Sequence, residues 1–146
     1  MYRIKHVNRR RPAFTLIELV TVIVILGILS AVALPVYLDY RTDARAAACK
    51  GVLGGVRAAI ANYYAHSATD SGGGTATWPT LVQVTTSGDV LTDTMPDNPY
   101  DTDGTGNNVE VGVTNGTVVG TDGGWAYRAA TGEFWANTNT VSENGW

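Results

Sequence analysis

One apolar stretch near the N-terminus, residues 14–38, limits what this chain can fold into more than any other feature. As a helix it would measure about 37 Å, enough to cross the roughly 30 Å hydrocarbon core of a membrane. Its polar members are few and scattered: Thr15, Glu18, Thr21, Ser30 and Tyr37. A soluble amphipathic helix has one polar face, and this stretch has none. The sequence therefore predicts a membrane-spanning helix over residues 14–38.

Glu18 is the one charged residue in this stretch. A charge in hydrocarbon costs on the order of 2.5–3.5 kcal/mol, so a residue of this kind usually has a partner or a function. Cleavage between Ala13 and Phe14 would create an ammonium group four residues before Glu18. That cation would then lie beside the carboxylate, at the start of the apolar helix.

The segment before Phe14 is strongly basic, since it holds five of the ten Lys and Arg residues of the chain. By the positive-inside rule this end stays in the cytoplasm, and residues 1–13 are interpreted as a leader that takes no part in the fold. A second interpretation is an ordinary signal peptide cleaved after Ala31-Val32-Ala33. We favour the first, because the apolar core is long for a signal and Glu18 has no purpose in one.

The remainder of the chain is acidic. Without the leader, five basic side chains face thirteen acidic ones, and from Ala65 onward Arg128 is the only Lys or Arg. Duplex binding requires clustered Lys and Arg, so nucleic acid is excluded as a partner. Cys49 is the only cysteine, so no internal disulfide can form, and we predict that it is buried as a small hydrophobe.

The globular part is predicted to occupy residues 39–146 and to begin with an amphipathic helix over 39–66. Its apolar face is expected to comprise Val52, Val56, Ala59, Ile60 and Tyr63, which recur at helical spacing. The glycines at 72–74 end the helix by Ser71. Trp78 is interpreted as a core residue in the loops that follow.

Residues 67–138 are predicted to form loops and a small antiparallel sheet. Asn115-Gly116 between residues 109–113 and 117–119 is typical of a two-residue hairpin. Further strands are expected at 125–128 and 133–137. Trp125 and Tyr127 share one strand face and should cover the helix. The fold class is therefore α+β, with a tail, 139–146, expected to be mobile apart from Trp146 against the sheet.

An acidic loop precedes the predicted hairpin. Its sequence Asp101-Thr102-Asp103-Gly104-Thr105-Gly106 places carboxylates on a flexible turn, as oxygen-binding calcium loops do. It lacks the ligand pattern of an EF-hand, and Gly and Asp also form ordinary turns without a metal. Calcium at Asp101 and Asp103 is one interpretation, and a plain turn is the other.

The sequence offers no constellation of an enzyme. It has no phosphate-binding glycine loop followed by Lys and no Cys/His cluster for zinc. Cys49 has no histidine at helical spacing to act as its base. We therefore predict that the chain is not an enzyme.

The segment Arg9-Arg10-Arg11-Pro12-Ala13-Phe14-Thr15-Leu16-Ile17-Glu18, with its apolar helix, resembles the type IV pilins and the pseudopilins of type II secretion systems. The resemblance covers roughly residues 9–38. It implies that a prepilin peptidase cleaves between Ala13 and Phe14 and methylates the new amine, and that Glu18 supports subunit docking. In that family the residue before the cut is usually Gly rather than Ala. Gly27 and Pro35 would weaken the helix, either as a gentle kink or as a place where it extends on assembly.

The resemblance further implies a pilin-like fold, with the long N-terminal helix packed on a small C-terminal sheet. It implies a bacterial inner-membrane protein with one membrane span, a periplasmic C-terminal domain and a homo-oligomeric filament. A major pseudopilin that drives secretion across the outer membrane is favoured, with an assembly platform and minor pseudopilins as partners and calcium in the acidic loop. A surface pilus subunit is the alternative. A third hypothesis is a monomeric membrane-tethered module that stacks a ligand such as sugar on a tryptophan, with Trp78, Trp125, Trp135 or Trp146 as the candidates.

Overall fold

The computed structural model describes residues 14–69, 71, 73–121 and 123–146. The chain divides into two compact units, Met1–Tyr40 and Arg41–Trp146, and the first is described from residue 14 onward. The predicted leader and Ala13 lie outside the described residues. Helix α1, Leu16–Ser67, belongs to both units.

The second unit contains the last part of α1 and the other elements of the described chain. These are α2, Leu81–Thr85; the strands β1, Val109–Val111, β2, Trp125–Arg128, and β3, Glu133–Ala136; and a closing 3₁₀ turn, Glu143–Gly145. Buried residues of α1 and of the sheet form one apolar core. The predicted α+β class, a long helix packed on a small sheet, is confirmed.

Helix α1 faces the core through Cys49, Leu53, Val56 and Ile60. Their spacings of four, three and four residues place them on one stripe of the helix. The predicted face included Val56 and Ile60 but was centred too far along the helix: Val52, Ala59 and Tyr63 are only half-buried at the edge of the stripe. Cys49 is fully buried, as predicted.

The sheet has the order β1-β2-β3. Strands β2 and β3 are antiparallel, with Tyr127 opposite Phe134, whereas β1 runs parallel to β2, with Val109 beside Trp125. The sheet is therefore mixed, and the prediction of a wholly antiparallel sheet is wrong for β1. Trp125 and Tyr127 lie in the core with the helix residues, as predicted.

The predicted hairpin at Asn115-Gly116 is also wrong, because residues 117–119 bind side chains instead of pairing with β1. Trp135 Nε1 donates a 2.8 Å hydrogen bond to the Thr117 carbonyl oxygen. The Asn137 amide accepts from Val119 N at 2.7 Å and donates to Val119 O at 2.7 Å. The segment after β1 thus crosses the outer side of the sheet over Trp135.

Trp78 contributes to the core at the end of α1. It packs against the buried cluster, and its ring stacks on Tyr64 with centroids 4.0 Å apart. The prediction of a core role is confirmed. The next residues form α2, which begins with a capping box: Thr80 and Gln83 each bind the other's backbone amide.

The C-terminal segment is docked on the fold, and the prediction of a mobile tail is wrong. The Glu143 carboxylate is fully buried and accepts hydrogen bonds from Thr140 N at 2.8 Å and Val141 N at 2.7 Å. Trp146 packs against the core, as expected, with the ammonium of Lys50 4.4 Å from the centre of its ring. Glu143 thus holds the turn of this segment together, and Trp146 docks the segment on the core.

Candidate functional site

The start of α1 is built around Thr15 and Glu18. The amide and hydroxyl of Thr15 donate to one carboxylate oxygen of Glu18 at 3.0 and 2.9 Å. In return the amide of Glu18 donates to the Thr15 hydroxyl at 3.2 Å. This reciprocal arrangement is a capping box, which satisfies amide groups that a helix start leaves unpaired. The chain thus holds its own carboxylate at the first turn of the helix, four residues after Phe14.

Behind this cap, the first unit presents an apolar surface on all sides of the helix. Its large apolar side chains are exposed throughout, including Phe14 at 85 % and Leu16 at 80 %. The helix continues without interruption through Gly27 and Pro35. By length and composition α1 is the one helix in the described part of the chain that could cross a membrane. A surface this apolar requires lipid or protein around it.

The second candidate site is the acidic loop. The amide of Thr105 donates to Asp101 at 3.0 Å and to Asp103 at 3.1 Å, and its hydroxyl donates to Asp103 at 2.6 Å. The fold therefore places the two predicted carboxylates, Asp101 and Asp103, within hydrogen-bond distance of the same backbone amide, that of Thr105. Burial and the neighbouring Asp103 carboxylate raise the pKa of Asp101, whereas hydrogen bonds from Thr105 lower the pKa of Asp103.

Known proteins share sequence with the start of α1, the site around Thr15 and Glu18. A family model for the prokaryotic N-terminal methylation motif matches residues 8–34. The fimbrial protein EcpC of Eikenella corrodens is 46 % identical over 54 residues, which cover 37 % of this chain and 35 % of that protein. The type IV major pilin protein PilE1 of Neisseria gonorrhoeae is 46 % identical over 57 residues, 39 % of this chain and 34 % of that protein. By its N-terminal segment, the chain is similar to type IV pilins and fimbrial proteins.

The matches to these relatives cover 37–39 % of this chain. The chain spans about a third of the length of the curated relatives that it matches. No solved structure gives a significant match to the chain.

The motif residues of the pilin segment can now be placed. Phe14 and Glu18 lie at the exposed start of α1, with Glu18 held by Thr15. The Ala13 side of the predicted cleavage site falls outside the described residues. Sequence reasoning named Glu18 but missed Thr15 as its partner, although the spacing Thr-x-x-Glu before an apolar run is a capping-box signal.

The acidic loop meets only part of what calcium requires. Calcium takes six to eight oxygen ligands, and Asp101 with Asp103 would supply two carboxylates. Among the described residues no group of three or more His, Cys, Asp or Glu side chains is arranged to hold a metal. Backbone carbonyls of the loop would therefore have to complete the site, and calcium binding stays a prediction.

Sequence reasoning also missed Asn98, the buried residue that anchors this loop. Its amide nitrogen donates to Gly124 O at 2.6 Å, and its amide oxygen accepts from Tyr100 N at 2.9 Å. Its backbone amide donates to Gly106 O at 2.9 Å, which closes the loop. The sequence Asn-Pro at 98–99 signals a turn but not its burial.

Proposed function

We propose that this chain is a structural subunit of a type IV pilin-like filament at the bacterial inner membrane. The observation that carries the proposal is the start of α1, where one carboxylate, Glu18, heads a helix whose apolar side chains are exposed all round. Such a helix is stable in lipid, and equally among copies of itself, so it can pass from the membrane into a helical bundle. The pilin relatives support the same function.

Glu18 gives the assembly its register. In the membrane the carboxylate is partly satisfied by Thr15 of its own chain. When copies pack with an axial offset, the amine created at Phe14 of one subunit can lie beside Glu18 of another. This ion pair forms in a medium of low dielectric constant, where an unpaired charge is costly, so it favours one offset over others.

Within this function we propose a surface pilus as the favoured setting, because the relatives are named pilins and fimbrial proteins. A pseudopilin of a type II secretion system is the second candidate. It is supported by the paired carboxylates Asp101 and Asp103 in a loop closed without a disulfide. In either setting a prepilin peptidase and an inner-membrane assembly platform would be the partners.

Electron microscopy with an antibody to residues 41–146 tests the proposal in the bacterium that makes the protein. Labelled filaments on the cell surface at native expression would support the pilus. Loss of secreted proteins on deletion of the gene, with no surface filaments, would support the pseudopilin. A protein that stays monomeric in the membrane, with neither filaments nor a secretion defect, would refute both and favour the tethered binding module.

A further inference from the structure

Some basic residues of the second unit interact with other groups of the chain, and others do not. The unit has five Lys and Arg against eleven Asp and Glu. Lys50 lies over the Trp146 ring, Arg57 donates to two carbonyl oxygens, and Arg128 pairs with Glu133. Arg41 and Arg45 are exposed and make no hydrogen bond or ion pair in the part of the chain that the structure describes.

These two arginines lie opposite a carboxylate on the same helix. They are four residues apart in α1 and share one side of it, and Asp43 is two residues from each. At 3.6 residues per turn, Asp43 therefore lies about 160° around the helix from both. Asp43 is also exposed, and in the described chain it belongs to no ion pair. We call Arg41 and Arg45 the basic side and Asp43 the acidic side.

On the arc of the helix that faces away from the core, the small residues between these two sides, Ala44, Ala47 and Ala48, are exposed. The core stripe of Cys49, Leu53, Val56 and Ile60 begins one turn after Arg45 and occupies the opposite arc between the two sides. A Cβ atom added at Gly51, Gly54 or Gly55 would meet no atom within 4 Å. Other helices can therefore approach α1 closely on its uncovered half.

We propose that a second copy of this chain docks its acidic side, at Asp43, against the basic side, Arg41 and Arg45, of the first. This rests on the proposed function, because it assumes parallel copies in a filament. The two sides point in nearly opposite directions, so one neighbour does not face both. Each copy then uses its basic side with one neighbour and its acidic side with another. Such a head-to-tail contact does not pair off into dimers but continues as a ring or an open filament.

Charge reversal tests the pairing in the full chain, assembled in its own cells and counted as sheared filaments. Arg41→Asp with Arg45→Asp, and separately Asp43→Arg, should each lower the filament yield about tenfold or more, because like charges then meet. The three substitutions combined restore opposite charges and should recover most of the parent yield. Asp89→Arg, an exposed site with the same charge change as Asp43→Arg, is the control and should assemble like the parent.

Several outcomes would overturn the pairing. Normal assembly of the reversed variants would do so, and so would an equal loss in the Asp89→Arg control, which would show that net charge decides. If Asp93→Arg, and not Asp43→Arg, restored assembly of the variant with reversed arginines, the arginines would face Asp93 of the neighbour, and the proposed pairing with Asp43 would be wrong. If the parent itself formed no filaments, the proposed function would fail and this inference with it, so the two failures are distinguishable.

Cysteine cross-linking tests the head-to-tail geometry. The native Cys49 is fully buried, so it gives a low background. A chain carrying both Asp43→Cys and Arg45→Cys should form a covalent ladder of three or more copies on oxidation in the filament. The two single variants, each expressed alone, should give no ladder. A product that stops at the dimer would show that two copies pair with each other, and it would overturn the head-to-tail contact.

Discussion

The Nε of Arg57 in α1 donates a 2.9 Å hydrogen bond to the carbonyl oxygen of Phe134 in β3. Its Nη2 donates at 2.5 Å to the main-chain oxygen of Trp146. One guanidinium thus joins the helix, the sheet and the C-terminal segment. The chain has one cysteine, so no internal disulfide can hold the C-terminal segment. The hydrogen bonds of Arg57 hold it instead, together with the buried Glu143.

Glu143→Gln should destabilise the fold. The Glu143 carboxylate is buried and accepts the amides of Thr140 and Val141, and a Gln side chain would keep one acceptor and turn an NH₂ group toward the other amide. Loss of a charged, buried acceptor costs on the order of 1–3 kcal/mol. The thermal midpoint of the full chain in detergent should fall by several degrees. Asp89→Asn, which removes an exposed carboxylate, should leave it unchanged, and equal midpoints for parent and Glu143→Gln would contradict the prediction.

The same carboxylate predicts a pH dependence. Burial raises the pKa of Glu143, but hydrogen bonds from Thr140, Thr138 and Val141 outweigh burial and hold it below its ordinary value. The folded state therefore binds this proton less readily than the unfolded state does. Its contribution to stability is complete above the ordinary Glu pKa, and is lost as the pH falls below about 4. Thermal unfolding from pH 7 to pH 3 should show this loss in the parent and a smaller one in Glu143→Gln.

Glu18→Gln should leave the protein cleaved and stable in the membrane but strongly reduce filament assembly. The substitution keeps the size of the side chain and removes the charge that an amine would pair with. Leu16→Ala changes apolar packing nearby without changing charge, and it should be much milder. Sheared-filament yield and membrane abundance, measured for both variants, check this. Normal assembly of Glu18→Gln with loss in Leu16→Ala would mean that apolar packing sets the docking.

The mature protein should begin at Phe14 and carry a methylated amine. The match to the prokaryotic N-terminal methylation motif, residues 8–34, surrounds this bond, and Glu18 four residues later has no role in an ordinary signal peptide. Mass spectrometry of the protein purified from membranes measures the first residue and the added methyl mass. A mature start at Leu34 would refute the pilin-type cleavage.

Calcium should raise the thermal midpoint if Asp101 and Asp103 bind it, because a ligand that binds only the folded state stabilises it. A chelator should lower the midpoint, and calcium but not magnesium should restore it, since the flexible loop suits the larger ion. Asp103→Asn should abolish the calcium response while Asp89→Asn retains it. Identical melting curves with and without the chelator would remove the site.

Gly112→Ala should destabilise the fold by about 1–3 kcal/mol, since overpacking at a close contact forces neighbours to shift. Its Cβ atom would lie 2.1 Å from Cη2 of Trp135. Gly55→Ala is the matched control, because its Cβ atom would meet nothing within 4 Å and Ala favours the helix. Urea unfolding of the full chain in detergent should therefore move the two midpoints in opposite directions. Equal stability of Gly112→Ala and the parent would contradict the packing of Trp135 beneath this residue.

The amino-acid sequence by itself determined the first unit and the helix that follows it. Composition identifies the apolar helix at 14–38, because hydrophobicity along a helix is a local property. The charge of Glu18 in that helix likewise needs no tertiary contact to be noticed. Alternation placed Trp125 and Tyr127 on the helix side of the sheet, and Cys49 in the core followed from its chemistry.

Only the tertiary structure decided the direction of β1 and the fate of the segment after it. Asn-Gly predicts a hairpin locally, but the Trp135 indole lies beneath Gly112, and Asn137 binds the backbone of Val119. These partners are 18 or more residues away in the chain, so no local pattern reveals them. The docking of the C-terminal segment was hidden for the same reason, because Arg57 donates to Trp146 O and Asn144 donates to Gly116 O across 89 and 28 residues of sequence. Long-range hydrogen bonds, rather than local propensity, fix those parts of the molecule.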